Sequence, residues 1–400
     1  MATNINPKTI FTGDNLPIMR GINSASVDLI YLDPPFNSNT NYAAPIGSKA
    51  AGAEFKDTWT LSDVDNTWVD LIEQKHPRLN RVIHAAMTNS DKSYLIYMAV
   101  RLLEMKRILK STGSIYLHCD PTMSHYLKLV MDSIFEKNNF RNEIVWCYTG
   151  PGSPKMRQFN RKHDILFWYS KSDKWAFNKD AVRIPHKKLN TNRKGAMVAK
   201  ALTPEERDAY LRRGKVPETW WAEFSPVGRI KTERVGYPTQ KPLALLDRII
   251  KASSNKGDVV FDPFCGCATT LVAANRLQRK WIGIDISEKA AELVIERIKD
   301  NQGLFQDIIA RTDIPKRTDL GDILQYNAPE NKTRLYGEQA GNCNGCGTHF
   351  QAQHLEVDHI IAKNVGGTDH IENLQLLCSH CNRVKGERGQ EYLISRLNTD

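Results

Sequence analysis

Apolar residues recur at two spacings along this chain. Short runs bounded by turn residues fall at Leu29–Leu32, Ser114–His118, Glu143–Trp146, Asp164–Tyr169, Val259–Phe261 and Trp281–Ile284. Runs of that length bounded by turns predict buried strands. Between them the spacing becomes helical. Leu95, Met98, Leu102, Leu103 and Met105 predict a helix over Tyr94–Lys110 that Gly113 stops. Further helices are expected over Asp14–Met19, about Met123–Lys137, Leu243–Ala252 and Thr269–Leu277. Strand and helix alternate, so the fold class is α/β with a largely parallel sheet. Residues 37–92 are polar and poor in strand pattern, and read as a mobile loop with one or two helices, placed where active-site lids occur.

Charge divides the chain further. Residues 151–235 hold 20 Lys and Arg against 9 Asp and Glu, a surplus larger than the net +10 of all 400 residues. A basic excess confined to one segment is the footprint of a phosphate backbone. Trp175, Phe177, Tyr210, Trp220, Trp221 and Phe224 are interleaved with those cations. Such rings stack on bases, although about half are expected to be core. No run of 18 apolar residues and no secretory leader pattern is visible, so no membrane partner is expected and the cytoplasm is the expected location. Polar residues 311–335, with Pro315 and Pro329, read as a linker. Past it, Cys343 and Cys346 form one C-x-x-C pair and Cys378 and Cys381 another, with 31 residues between the pairs. Two such pairs point to a tetrahedral zinc site that staples a small domain.

Two stretches carry candidate chemistry. The strand at Leu29–Leu32 ends in Asp33-Pro34-Pro35-Phe36, a stiff acceptor pair beside a flat ring, which suits a planar amine. The strand Val259–Phe261 ends in Asp262-Pro263-Phe264-Cys265-Gly266, a helix follows, and the next strand ends in Asp285, 19 residues past Gly266. That spacing places an acid on the ribose of a nucleoside cofactor. Cys267 stands where a second glycine would, and without a glycine run a cofactor lacking pyrophosphate is favoured.

Asp33-Pro-Pro-Phe36, Thr239-Gln-Lys-Pro242 and Asp262-Pro-Phe-Cys-Gly266 together resemble the β-class amino-methyltransferases of DNA over about residues 8–300. The resemblance implies a Rossmann-like sheet that binds S-adenosyl-L-methionine, in a domain at 1–310 with an embedded target-recognition region at 148–236. It implies that Asp33 and the Pro34 carbonyl accept hydrogen bonds from the target amine, with Pro35 stiffening the turn and Phe36 stacking on the base. Asp285 would hold the ribose. Asp262, Pro263, Phe264 and Gly266 would pack on the cofactor, and Thr239 and Lys241 would lie near its methionine end. Asp at the first position resembles adenine-N6 enzymes more than cytosine-N4 enzymes. No Pro-Cys dipeptide is present, which excludes methylation at cytosine C5.

In residues 336–400, Asp358-His359, Asn373 and Asn382 stand around the cysteine pairs and resemble the HNH endonucleases, a ββα-metal fold. The resemblance implies His359 as general base, Asn373 as orienter of its loop, and Asp358 and Asn382 as ligands of Mg²⁺ or Mn²⁺. His349, His354, His370 and His380 are assigned to surface or packing. The whole reads as a restriction–modification protein acting on double-stranded DNA, in which a homodimer is admissible. The alternative is an orphan methyltransferase, for adenine N6 or cytosine N4, whose zinc tail only binds DNA.

Overall fold

The structure is a computed structural model. It describes residues 3–397 except 39, 46, 52–53, 56, 60–71, 73–75, 151–156, 187–202, 303–306 and 322. Part of the expected lid, and parts of the recognition region, lie outside the described residues.

Thirteen strands and eleven α-helices follow in chain order among these residues. The strands are β1 Thr9–Thr12, β2 Val27–Leu32, β3 Tyr42–Ala43, β4 Glu54–Phe55, β5 Leu109–Cys119, β6 Phe140–Cys147, β7 His163–Ser170, β8 Trp220–Trp221, β9 Val259–Asp262, β10 Lys280–Asp285, β11 Ile309–Arg311, β12 Leu355–His359 and β13 Leu374–Cys378. The helices are α1 Asn15–Arg20, α2 Pro77–His84, α3 Asn89–Ile108, α4 Ser124–Phe135, α5 Pro204–Arg213, α6 Leu243–Ser253, α7 Thr269–Arg276, α8 Glu288–Gln302, α9 Pro329–Glu338, α10 Ser379–Lys385 and α11 Gln390–Leu397.

Nine strands form one sheet in the order β11-β1-β10-β9-β2-β5-β7-β6-β8. β7 pairs antiparallel with both its neighbours, and every other pairing in the sheet is parallel. β2 shows why its apolar run is continuous. Ile30 and Leu32 face the layer of α1 to α4, and Leu29 and Tyr31 face the opposite layer of α6 to α8. A strand covered on both faces has no solvent side to fill with polar residues. From β2 the chain proceeds outward to β5, and from its neighbour β9 it proceeds the other way to β10. The connections leaving the carboxyl ends of β2 and β9 therefore diverge, and a crevice opens there.

Several expectations need correction. The helix expected over Tyr94–Lys110 begins earlier, at Asn89, because Thr88 accepts a capping bond from the Asp91 N–H (3.1 Å). It stops at Ile108, before Gly113, and β5 already runs from Leu109. Gly113 instead lets the strand pass the Asp28 carbonyl, which a Cβ would meet at 2.9 Å. The apolar run Asp164–Tyr169, expected within the recognition region, is the core of β7 and lies between β5 and β6. The expected linker is fastened rather than free. Asn4 Nδ2 donates to the Lys316 carbonyl (2.7 Å), Asn23 exchanges two bonds of 2.8 Å with Thr318, and the Ser24 N–H donates to Asp319 (2.9 Å). Its last residues begin α9.

The tail is built around the antiparallel pair β12–β13 and α10, with Leu335, Leu355, Leu376, Leu377 and Leu393 at its centre. Its Gly366 lies on α1 of the sheet domain, where a Cβ would meet the Pro17 carbonyl at 2.9 Å.

Candidate active site

A cavity of about 370 Å³ opens at the carboxyl ends of β1, β2, β9 and β10. It gathers Asp33, Pro34, Pro35, Phe36, Thr239, Lys241, Asp262, Pro263, Phe264, Gly266 and Asp285, which the sequence separates by up to 252 positions.

Asp33 follows the last residue of β2. Lys241 Nζ donates to its Oδ2 at 2.6 Å and to the Thr239 carbonyl at 3.2 Å. Its Oδ1 is buried with no hydrogen-bond partner. A buried acceptor left unpaired is costly unless a ligand completes it. Lys241 also lies 5.2 Å from the Phe36 ring, so it serves the carboxylate and the ring at once. The resemblance pointed it toward the cofactor's methionine end, and within the same cavity it bonds Asp33, a partner the sequence did not indicate. Phe36 stacks on His118 with centroids 6.0 Å apart and planes 24° apart.

The turn after Phe36 is held by a residue that the sequence did not single out. Asp57, 1% exposed, accepts from the N–H groups of Asn37 (2.7 Å) and Ser38 (2.9 Å) and from the Ser38 hydroxyl (2.6 Å). Asn37 is left-handed, at φ 59°. Nothing in the local pattern marked Asp57, because the turn it holds lies about 20 positions away.

On the other wall, Asp285 accepts from the N–H of Gly266 (2.8 Å) and of Ser287 (2.9 Å). The Asp262 carboxylate accepts from the Phe264 N–H (3.1 Å), and Asn15 Nδ2 donates to the Pro263 carbonyl (2.8 Å). Arg101, a buried cation on the apolar α3, orients Asn15 through a 2.6 Å bond. Gly266 is left-handed at φ 47°, and the Tyr237 ring fills the space a Cβ would take, at 3.1 Å. The second left-handed residue of the turn is Ala268 (φ 67°), so Cys267 needs no glycine freedom. Burial, reinforced by Asp33 and Asp285, pushes the Asp262 carboxyl up to about 7 against bonds from Thr270 and Phe264. Burial likewise raises Asp285. Three carboxyl groups in one desolvated cavity favour a cationic guest.

The tail holds a second centre. The four cysteine sulfurs lie within 4.8 Å of one another. The N–H groups of Gly345 (3.4 Å) and Cys378 (3.2 Å) point at Cys343 Sγ, and that of Cys381 (3.5 Å) at Cys378 Sγ. Soft sulfur donors receiving backbone N–H bonds fit a tetrahedral zinc ion. His359 Nε2 lies 2.7 Å from Asp369, and the Tyr326 ring sits 4.9 Å from the imidazole. Asn373 donates to the Ile361 and Thr368 carbonyls (3.0 and 2.8 Å) and accepts from the Ile361 N–H (2.9 Å), which holds the loop after His359. Asp358 is met by the Lys385 ammonium at 2.9 Å and by Gln375 at 3.1 Å, whereas Asn382 donates to Glu356 at 2.5 Å. Each of the two expected metal ligands therefore has a protein partner. Lys385 and Glu356 were not anticipated, since a lysine 1% exposed has no local pattern to reveal it.

A largely parallel sheet with a nucleoside-type acid at the end of β10 and a fixed carboxylate and ring after β2 has the layout of a nucleoside-cofactor transferase acting on a planar amine. The chain belongs to the DNA methylase family of N6 and N4 enzymes, whose profile matches residues 27–296, and it carries an HNH endonuclease domain matched over residues 343–388. It is 28% identical over 292 residues to DNA adenine methyltransferase YhdJ of Escherichia coli K12, covering 73% of this chain and 82% of that one. It is 29% identical to Type II methyltransferase M.HpaI of Haemophilus parainfluenzae, covering 73% and 74%. It spans 63% of the length of Type II methyltransferase M.EcaI of Enterobacter cloacae. Among solved structures, it is similar to TTHA0409 of Thermus thermophilus complexed with S-adenosyl-L-methionine, at 18% identity and a TM-score of 0.43, over 76% of this chain and 99% of that one. No described helix is long and apolar enough to cross a membrane.

Proposed function

We propose that this protein methylates adenine N6 at specific sites in double-stranded DNA, using S-adenosyl-L-methionine, and that its tail cuts DNA. The observation that carries the first half is the buried, unpartnered Asp33 Oδ1 beside the half-buried Phe36. An adenine turned out of the helix would stack on Phe36, which replaces its lost neighbours. Asp33 Oδ1 and the Pro34 carbonyl would accept its two amine hydrogens. Those bonds draw the nitrogen lone pair out of the ring and aim it into the cavity. Lys241 fixes the carboxylate through Oδ2, so no reorientation is needed at the moment of transfer. The cofactor supplies an electrophilic methyl group on a sulfonium, whose positive charge suits the three carboxyl groups. Asp285 would accept from its ribose hydroxyls, and Phe264 and Gly266 would border it. The choice of adenine over cytosine is supported by Asp33 and by the adenine enzyme among the relatives.

The test is incorporation of tritium from labelled S-adenosyl-L-methionine into DNA, followed by digestion to nucleosides. Label in N6-methyladenine that disappears in Asp33→Ala supports the reading. Label in N4-methylcytosine, or label that survives the substitution, overturns it.

In the tail, His359 held by Asp369 would take a proton from water, and Asn373 keeps its loop in place. Asp358 and Asn382 are oxygen donors on facing elements and would hold Mg²⁺ or Mn²⁺, which would offset charge on the scissile phosphate. Plasmid nicking with either ion, lost in His359→Ala, is the expected result. The Lys385 ammonium on Asp358 favours a second reading, a zinc-stapled module that binds DNA without cutting it. Intact plasmid with every metal would establish that one. In both readings a homodimer would suit a two-fold symmetric site, which sedimentation of the DNA complex tests.

A further inference from the structure

Beneath Phe36 lies a set of buried groups that the methyl transfer just described does not use. β2, β5 and β7 are adjacent strands, and they bring Tyr31, His118 and Asp164 into a line. The Tyr31 hydroxyl is 2.8 Å from His118 Nδ1, and His118 Nε2 is 3.0 Å from Asp164 Oδ2. Tyr148, just after β6, donates to Asp164 Oδ1 at 3.0 Å. His118 is 0% exposed, with Phe36 stacked on it and the edge of Trp146 beside it at 5.9 Å. Tyr31 lines the cavity, two residues before Asp33 and so on the same face of the strand. It thus touches the cavity on one side and His118 on the other.

The partners assign the protons. A carboxylate accepts only, so Nε2 carries the ring hydrogen, and Nδ1 accepts from the Tyr31 hydroxyl in the neutral ring. The Tyr31 oxygen keeps lone pairs free to accept. Satisfying one buried tyrosine needs a single acceptor. A fully buried imidazole backed by a partly buried carboxylate is a costlier arrangement, and it has the layout of a base with its orienter.

The reaction leaves a proton without a destination. Methyl transfer to a neutral amine gives a cationic nitrogen that must lose one proton before it becomes the N-methyl product. DNA would cover the mouth of the cavity at that moment. Asp33 is ill suited to receive the proton, because the Lys241 ammonium already sits on its other oxygen at 2.6 Å and that charge-assisted bond would be lost. We propose that Tyr31, His118 and Asp164 take up this proton. As the nitrogen becomes tetrahedral on taking the methyl group, one of its two hydrogens swings from the Pro34 carbonyl to the Tyr31 oxygen, which lines the same cavity; that N–H bond breaks and its electron pair stays on nitrogen. The Tyr31 oxygen gains that proton as its own passes to His118 Nδ1. The positive charge moves from the amine to an imidazolium facing Asp164. When product leaves, Nδ1 returns its proton to Tyr31, which releases one to the water refilling the cavity, and the set is restored. Tyr31 is the group that touches substrate; His118 and Asp164 act through it.

The proposal rests on the methyltransferase reading, and the test separates the two. Labelled methyl transfer to DNA by the wild-type protein comes first, and its absence overturns both. With transfer established, Asp164→Asn keeps an acceptor for Nε2 but removes the charge, and Tyr31→Phe removes the hydroxyl. Each should lower kcat about 100-fold and leave KM for DNA and for the cofactor within about twofold, with a solvent deuterium isotope effect that grows relative to wild type. Because the groups act in series, the double variant should be no slower than the worse single one. Unchanged kcat in both variants, a loss confined to KM, or losses that multiply in the double variant would overturn the proton path while leaving the methyltransferase intact. Should Tyr31→Phe fold poorly, Asp164→Asn at the end of the line decides by the same kcat and isotope readouts.

Discussion

The Asp262 carboxyl is 2% exposed and stands among other acids, which raises it from the ordinary 3.8 to about 7. Between those two values the folded protein keeps a proton that the unfolded chain has released. Stability therefore falls as pH rises through the window, by up to roughly 4 kcal/mol if the whole shift is realised. Thermal melts of the cofactor-free protein from pH 5 to 7.5 should show this decline, and Asp262→Asn should flatten it. An unchanged slope in the variant would mean that another group sets it. Desolvated acids without a cation are poised for a positively charged guest, so the same melts with S-adenosyl-L-methionine should decline less.

Among the elements, β10 shows how closely the sheet and α7 must meet. A Cβ on Gly283 would lie 2.5 Å from Leu271 Cδ1 and 3.2 Å from both Cys265 Sγ and Ile10 Cδ1. Gly283→Ala is expected to cost roughly 1–3 kcal/mol by overpacking and to weaken cofactor binding, because it pushes on the turn at Cys265 and Gly266. Calorimetry of cofactor binding alongside a melt checks both; a variant as stable as wild type would show that α7 can retreat. The regular part of the fold was legible because β2, β9 and β10 are buried on both faces and carry mainly apolar residues up to a terminal acid. The ends Asp33, Asp262 and Asp285 were legible for the same reason. β7 was misplaced because its strand pattern lies inside a basic stretch, and charge outside the strand says nothing of which neighbours it pairs with. Asp57, Arg101 and Lys385 left no trace, since each is a single polar residue whose role exists only once distant segments meet. Lys241 was found by motif but its bond to Asp33 was not, because chain spacing does not say which way a long flexible side chain will reach.

At the scale of the whole molecule, the sheet domain ends later than β11. Residues 316–319 bond to Asn4, Asn23 and Ser24, and Arg317 pairs with Asp319 at 2.8 Å. A chain ending at 320 should fold and bind cofactor like the full-length protein. One ending at 311 should melt several degrees lower, because it strips partners from Asn23 and Ser24. Equal melting of the two would show that these bonds contribute nothing. The tail is expected to depend instead on the ion that its cysteine cluster fits. Removing the metal with a chelator should abolish the tail's own unfolding transition while cofactor binding in the sheet domain persists.

The sheet order has one more consequence. β1 and β11 are neighbours, and Asn4 touches the Lys316 carbonyl, so the sheet domain begins and ends at one place. A chain whose ends meet is topologically a closed loop with one arbitrary cut. Joining residue 4 to residue 320 through a few glycines and reopening the loop elsewhere, at an exposed turn such as that between α6 and β9, would reorder the motifs without moving any of them in space.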